Sequence, residues 1–260
     1  MSFLVFSISL LEFDMRDDLQ AAKSSVDWAV SQFPDFQARL DSWLKANVYV
    51  TIKEMPDNSP NNVVLAVEKE PFPLKFQVEA GAYINCIRSS LDILAATLAL
   101  RHCPSLVDES YFPVTKSATI FASGGYKGHK LIKALPTTER TIIESLKPYQ
   151  GGNELLYALH QLDIVRKHQR LLTTEIHPGR LGVISWGIGH FTPVATGWMR
   201  SGDDEAVIGI LAKAAPHPKI DLTMQVSINE TAYFKRRPVI RALNDFAGLA
   251  NSIIALFNHP

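Results

Sequence analysis

Two groups of charged residues interrupt helices that are otherwise apolar. Arg88 and Asp92 are four residues apart, a spacing that places both on one side of a helix. Arg166, Lys167 and His168 are consecutive near the end of a later helix. A histidine and a carboxylate can move protons, and an arginine can hold a phosphate through paired hydrogen bonds. We therefore predict His168 and Asp92 as candidate catalytic residues.

Asp163 and Arg170 belong to the same later helix as this basic cluster. Helical periodicity places Asp163 with Arg166 and Arg170, so local ion pairs account for much of the charge without a ligand. The alternative is that the cluster binds an anion or a partner. The predicted binding residues are Arg88, Asp163, Arg166, Lys167 and Arg170.

Each catalytic candidate also has a structural interpretation. Arg88 and Asp92 can form an ion pair that fixes the register of their helix. His168 is surrounded in helical projection by Ile164 and other apolar residues, which is typical of a core histidine. The catalytic interpretation requires Lys167 or His168 to lie beside the Arg88–Asp92 pair.

The rest of the chain must position these helices. Residues 17–47 have apolar residues at helical spacing, and Pro34 predicts a break or a kink among them. Residues 74–102 predict a long helix that is apolar on most of its circumference. A stripe of small and polar residues on this helix would let another helix approach closely. The stripe consists of Gly81, Asn85, Arg88, Asp92, Ala96 and Ala99.

Turn signals divide the remaining sequence. Two runs rich in β-branched residues, 48–52 and 63–67, flank a turn-rich segment and predict a hairpin. Residues 104–135 predict a long loop that contains short elements. Further helices are predicted at 137–146, 153–172 and 238–257, and strands at 181–191, 206–212 and 221–228.

These elements predict an α+β fold. We expect one domain over residues 1–260: a bundle of four to five helices with an antiparallel β-sheet packed on one side. The bundle is predicted to comprise about 16–175 and 238–258, and the β-rich segment about 178–230. A chain of 260 residues can bury a sizeable core without disulfides or metals.

The balance of positive and negative charges excludes a strong long-range electrostatic field around the whole molecule. Lys plus Arg and Asp plus Glu are both 26, so nothing draws the whole molecule to nucleic acid or to an anionic membrane. The apolar run at 3–11 has no basic region before it, no small-residue cleavage site, and too few residues to span a bilayer. It predicts a strand or a packed arm. We expect a cytoplasmic protein without a membrane partner.

The cysteines and histidines predict no bound metal. Cys86 and Cys103 are the only two cysteines, and we expect both as reduced, buried or half-buried thiols. No paired ligand spacing occurs, and no Rossmann fingerprint or phosphate-binding loop is present. We therefore predict no cofactor.

A set of short motifs resembles a widespread bacterial family of uncharacterised proteins. The motifs are Gly81, the run Asn85–Asp92, Phe112-Pro113, Leu146–Tyr149 and Leu156–His168. Their order covers roughly residues 16–175. That family typically has Gly-Asp, Asn-Leu-Arg-Ser-Ala-Leu-Asp-His, Phe-Pro, Gln-Pro-Tyr and Asp-Lys-His-Arg.

The chain departs from this family pattern at four positions. Ala82 replaces the aspartate after the glycine, and Ile93 replaces the histidine after Leu-Asp. Arg166 replaces the acidic residue before Lys-His, and Gln169 follows that motif. If the family is catalytic through those groups, this member lacks part of the machinery.

A looser resemblance is to the HEPN superfamily of helical bundles, which includes ribonucleases. That resemblance implies an arginine and a histidine about five residues apart on a late helix, where the arginine steadies a phosphate and the histidine assists attack by a ribose hydroxyl. Asp163 occupies the position five residues before His168, and Arg166 is only two residues before it.

Three functional hypotheses follow from the sequence. The first is an interaction module without catalysis, which forms a homodimer through an apolar helix face or binds a protein partner. The second is an RNA-handling, HEPN-like protein, active or degenerate, with Arg88, Lys167 and His168 at a phosphate. The third is another metal-independent hydrolase that uses Asp92 with His168.

Overall fold

The computed structural model describes residues 15–55, 59–184, 191–194, 199–200, 205–213, 219–230 and 234–259. The apolar run at 3–11, for which a strand or an arm is predicted, lies outside these residues. The α-helices described are α1 (Gln20–Asn47), α2 (Leu74–His102), α3 (Ala118–Ser123), α4 (His129–Ala134), α5 (Thr137–Ser145), α6 (Glu154–His168) and α7 (Val239–Ala255). Short 3₁₀ turns cover Asp17–Leu19 and Pro104–Glu109.

The first helix continues through Pro34 without the predicted break. Proline removes one backbone N–H and so frees the carbonyl of Val30, one turn earlier. Pro34 and Val30 both lie on the solvent side of α1, where water can bond this carbonyl. Phe33 and Phe36, on either side of the proline, are buried in the core and hold the helix in place.

The second helix lies at the centre of the helical layer and packs against α1, α6 and α7. Its inner side is fully buried, which supplies much of the hydrophobic stabilisation. These buried residues are Ile84, Ile87, Leu91, Leu94 and Leu98. The predicted bounds of this helix are confirmed.

The segment between α2 and α6 contains the short elements that the sequence predicts. Helices α3 and α4 have six residues each, and α5 has nine. Glu139 of α5 is buried and contacts Arg101 Nη1 at 3.2 Å and His102 Nε2 at 2.6 Å. This buried carboxylate fixes α5 to the end of α2.

The strands form two antiparallel sheets, where the sequence predicts one. They are β1 (Val48–Glu54), β2 (Asn61–Glu68), β3 (Thr174–Ile184), β4 (Phe191–Pro193), β5 (Met199–Arg200), β6 (Glu205–Ala212), β7 (Lys219–Glu230) and β8 (Phe234–Pro238). The first sheet has the order β1-β2-β6-β4, and the second has the order β5-β3-β7-β8. The α+β class and the hairpin of β1 and β2 are therefore confirmed.

Two boundaries differ from the prediction. Pro178 does not precede a strand: it lies within β3, where the pairing with β7 shifts register between Pro178 and Arg180. A strand tolerates proline at such an irregularity, because no ladder hydrogen bond is needed there. The hairpin also pairs with β6, so the β-structure is not confined to about 178–230.

Within the part of the chain that is described, none of the helices combines the length and the apolar character needed to cross a membrane. Cys86 and Cys103 are free and half-buried, as predicted.

Candidate functional site

The candidate residues lie where α2 and α6 pack against each other. Three pairs of facing residues show that the two helices run in opposite directions: Gly81 with Arg166, Asn85 with Asp163, and Arg88 with His160. The predicted stripe on α2 therefore does receive a second helix, with Arg88 in the contact.

Gly81 permits the close approach at one end of this contact. A Cβ atom at Gly81 would lie 3.2 Å from Cδ of Arg166, which is tighter than ordinary van der Waals contact. The aliphatic part of the Arg166 side chain thus covers the glycine. This contact explains why a small residue is needed at position 81.

Arg88 is the centre of a buried polar cluster, the Arg88 cluster, formed with Asp92, His160 and the backbone of Phe112. Nε of Arg88 donates to Nδ1 of His160 at 3.2 Å, and Nη1 donates to Oδ1 of Asp92 at 2.9 Å. Nη2 donates to the carbonyl oxygen of Phe112 at 3.0 Å. Each guanidinium nitrogen is therefore bonded to an acceptor of the protein itself.

Asp92 completes the cluster by binding the backbone of Phe112 as an acceptor, whereas Arg88 binds it as a donor. Its Oδ1 accepts a hydrogen bond from the backbone N–H of Phe112 at 3.0 Å, in addition to the one from Arg88. The residue Arg88 is only 3% exposed, whereas the Asp92 side chain is 33% exposed. The pair thus fixes the chain at Phe112 onto α2 and α6.

His160 is held in its neutral form. Burial, together with the nearby positive charge of Arg88, lowers the pKa of His160 to about 4. Because Nδ1 accepts the hydrogen bond from Arg88, the ring proton resides on Nε2. At neutral pH this histidine can donate from Nε2, but it has no free nitrogen to act as a general base.

A second cluster, the Asp163 cluster, lies one turn further along α6. Asp163 is buried, and its Oδ1 accepts from Nδ2 of Asn85 at 3.1 Å. Its Oδ2 pairs with Nζ of Lys167 at 2.6 Å. Asn85 also donates to the hydroxyl of Ser89 at 3.2 Å. This cluster links the two helices and neutralises a buried carboxylate.

The predicted ion pairs of Arg166 and Arg170 with Asp163 are not found. Lys167 takes that role, since it lies four residues after Asp163 on the same helix side. Arg170 follows the end of α6 and instead binds both carboxylate oxygens of Glu230 on β7, each at 2.7 Å. One guanidinium nitrogen of Arg166 is shielded from solvent and has no hydrogen-bond partner among the described residues.

His168 is neither a core histidine nor a neighbour of Arg88. It is the last residue of α6 and is exposed, because Gln169 leaves the helical conformation with φ of −123°. The expected helix to about residue 172, which would surround His168 with apolar residues, ends four residues early. His168 lies two helical turns, or about 12 Å, beyond His160 along α6.

The opposite directions of the two helices explain this offset. Each step from Asn85 toward Arg88 on α2 corresponds to a step from Asp163 back toward His160 on α6. The structure therefore brings together Arg88 with Asp92, and Asp163 with Lys167, but not Arg88 with His168.

His160 is the site residue that the sequence reasoning missed. It shares one side of α6 with Asp163 and Lys167, at steps of three and four residues. The same steps separate Asn85, Arg88 and Asp92 on α2. Two polar stripes of equal spacing on two apolar helices were the available signal that the helices face each other.

The polar groups of this arrangement mainly stabilise the contact between α2 and α6. Arg88 is buried with its three nitrogens bonded, so it has little capacity to take up a phosphate. In the described part of the chain, no group of three or more His, Cys, Asp and Glu side chains is arranged to hold a metal ion.

Comparison with family models, with curated proteins and with solved structures gives no match to this chain. The resemblance to the bacterial family and to the HEPN superfamily therefore stays a prediction from the sequence motifs.

Replacing Arg88 by leucine should lower the free energy of unfolding by roughly 3–5 kcal/mol, because buried acceptors on His160 and Phe112 lose their donor. Urea denaturation measures the change. The matched control is Arg39→Leu, which removes a side chain that is 41% exposed and paired with Glu79 and Asp35. We expect about 1 kcal/mol or less for that control. An equal cost for the two substitutions would contradict a structural role for the Arg88 cluster.

His160 should make the protein less stable in acid. The pKa of His160 in the folded protein, about 4, is below the ordinary value of 6.5, so the unfolded chain binds the proton more readily. Stability from this group is therefore present above pH 6.5 and is lost as the pH falls toward 4. Between pH 7 and pH 4.5 the loss should be roughly 2–3 kcal/mol.

Two asparagine variants isolate this effect. His160→Asn keeps an acceptor for Arg88 but does not titrate, so its unfolding free energy should fall less between pH 7 and pH 4.5 than that of the natural protein. His168→Asn, at an exposed histidine, should behave like the natural protein. Identical pH dependence in all three proteins would argue against a buried neutral His160.

The contact of Gly81 with Arg166 can be tested by a comparison of two helical glycines. A Cβ atom at Gly248 of α7 would meet nothing within 4 Å, so Gly248→Ala should stabilise by up to about 1 kcal/mol. Gly81→Ala should gain less or should destabilise, because Arg166 must move. Adding Arg166→Ala should restore the gain at position 81. Equal gains for both glycines in thermal unfolding would rule out the close approach.

Proposed function

We propose that the chain is an interaction module that acts as a homodimer and is joined through the outer side of α2. The single observation that carries this proposal is an uncharged face on that helix, which is exposed toward both ends and half-buried in the middle. We name it the α2 outer face: Val78, Ala82, Ser89, Ile93, Ala96 and Leu100. It borders the contact of α2 with α6, since Ser89 accepts a hydrogen bond from Asn85 of the Asp163 cluster.

Large apolar side chains at both ends of the α2 outer face are open to solvent. Val78 is 54% exposed and Leu100 is 61% exposed. Trp28 of α1, whose ring is 6.2 Å from that of Tyr83 on α2, is 54% exposed beside this face. Scattered apolar residues are normal on a surface, but a continuous apolar helix face is typical of protein contacts.

A second copy of the chain is the occupant that fits this face. A two-fold contact must be self-complementary, so that each residue meets a partner suited to it in the other copy. If two α2 helices run in opposite directions about Ser89, Val78 of one copy meets Leu100 of the other. Ala82 then meets Ala96. Large residues face large ones at the ends, alanines face each other closer to the centre, and Ile93 meets Asn85.

Charge does not oppose this association. The charges of α2 between Lys75 and Arg101 are paired within the chain: Glu79 is paired with Arg39 of α1, and Asp92 is paired with the buried Arg88. The net charge of the whole chain is zero, so two copies do not repel each other at long range. Apolar burial can therefore drive the contact.

The ribonuclease and hydrolase hypotheses have less support from the geometry. They require His168 beside Arg88 or Asp92, and His168 is at the far end of α6. Lys167 is paired with Asp163, which reduces its capacity to bind a phosphate. An interaction module without catalysis at these residues agrees better with the satisfied Arg88 cluster.

A charge-exchange experiment tests the dimer and its direction together. Val78→Glu should weaken dimerisation at least tenfold, because each interface would bury two unpaired carboxylates. Adding Leu100→Lys should restore the dimer, since in the antiparallel arrangement Glu at 78 of one copy meets Lys at 100 of the other. Light scattering after size exclusion measures the mass across a concentration series.

The matched control is Leu256→Glu, which places the same charge at an apolar residue that is 46% exposed on another part of the surface. It should leave the dimer unchanged. A protein that is monomeric at all concentrations overturns the proposal. A dimer that survives Val78→Glu, or one that Leu100→Lys fails to restore, overturns the assigned face or its direction.

A further inference from the structure

A large cavity lies away from both α2 sites. It has a volume of about 1130 Å³, is open to solvent on one side, and is lined by the second half of α1, strand β1, strand β7 and the first turns of α7. This volume slightly exceeds the range of roughly 300–1,000 Å³ that is typical of sites that bind small molecules. None of the residues of the Arg88 cluster, the Asp163 cluster or the α2 outer face is among its described lining residues.

The floor of the cavity is aliphatic. Leu40 and Leu44 of α1 are buried there, as are Val226 of β7 and Val239 of α7. Met224 of β7 adds a flexible apolar side chain that can adapt to different shapes. A ligand that enters the cavity would transfer its own surface from water onto this floor, so the part that lies there must be apolar.

The rim of the cavity is polar and carries two cations. Lys45 of α1 and Arg241 of α7 are exposed and line the cavity. Neither forms an ion pair with another residue in the described part of the chain. Asp41 contributes the one carboxylate among the described lining residues, so the rim keeps one net positive charge.

The remaining rim residues can bond a carboxylate. Gln37 and Gln225 present side-chain amides, each of which can donate two hydrogen bonds, and Asn244 can donate one besides its bond to the carbonyl oxygen of Ile240 at 2.9 Å. Arg241 offers the planar fork that matches a carboxylate in a bidentate way. The rim therefore complements a head group with a single negative charge, above a floor that accepts an apolar tail.

We propose that this cavity binds an aliphatic monocarboxylate, with its carboxylate at the rim beside Lys45 and Arg241 and its tail on the floor of Leu40, Leu44 and Val226. This inference goes beyond the dimer, because the cavity belongs to other elements of the fold. The Val78→Glu variant should therefore retain the binding.

Titration calorimetry with decanoate as the probe tests the proposal on the full chain. Decanoate should bind, and each CH₂ removed from the tail should weaken binding by roughly fourfold. Decyltrimethylammonium has the same tail with the opposite charge, and acetate has the head without the tail. Both should bind at least tenfold more weakly than decanoate.

Charge-removing variants provide the matched comparison. Lys45→Gln combined with Arg241→Gln should weaken decanoate binding by about tenfold or more. Lys23→Gln combined with Arg237→Gln removes the same number of charges outside the cavity and should have no effect; these residues pair with Asp27 and Asp245. All four side chains are at the surface, so the fold should tolerate the changes.

Three results would overturn the carboxylate site. They are the absence of decanoate binding at 1 mM probe, equal affinity for decyltrimethylammonium, and unchanged affinity in the Lys45→Gln/Arg241→Gln variant.

Discussion

The guanidinium of Arg88 is the interaction on which the arrangement of the helices depends. A buried positive charge is costly unless acceptors surround it, and here the acceptors come from three separate segments. Asp92 lies on the same helix, His160 on α6, and the carbonyl of Phe112 in the connection between them. If α6 shifted by one turn, Arg88 would lose an acceptor. The charge therefore specifies one register in a contact that apolar residues alone would leave loosely defined.

The two sides of α2 have different roles. The side toward α6 is polar and small, and its groups are bonded within the chain, so it stabilises and orients the bundle. The α2 outer face is uncharged and mostly apolar, and its residues Val78, Ala82 and Leu100 are exposed within one copy. One helix thus joins the internal architecture to the proposed contact between copies. Because Arg88 and Asp92 are used internally, they do not place charge on the α2 outer face.

Much of the helical architecture could be predicted from the sequence, because apolar periodicity, prolines and turn residues are local signals. The bounds of α2 and the stripe with Gly81 and Arg88 are examples. The end of α6 could not be predicted in the same way. Leu171 and Leu172 continue the apolar pattern, but the chain leaves the helix at Gln169 to enter β3. Tertiary packing overrides the local pattern there.

The partner of each polar residue depends on how distant segments meet, which a single sequence does not encode locally. The choice of His160 rather than His168 follows from the antiparallel alignment of α2 with α6. The pairing of β2 with β6 could not be predicted for the same reason, because it joins segments separated by more than half of the chain. Pro178 is a case in which a strong local signal gave the wrong prediction. This proline predicts a turn, but it lies at an irregularity inside a strand.

The state of His160 gives the most direct test of a structural Arg88 cluster. Nitrogen NMR of protein with ¹⁵N-labelled histidine resolves the tautomer and the pKa of each ring. We predict one ring with its proton on Nε2 that stays neutral until the pH approaches about 4, and that His160→Asn removes this signal. If His160 instead titrates near the ordinary value of 6.5, its ring is not held by Arg88, and the account of the helix contact is wrong.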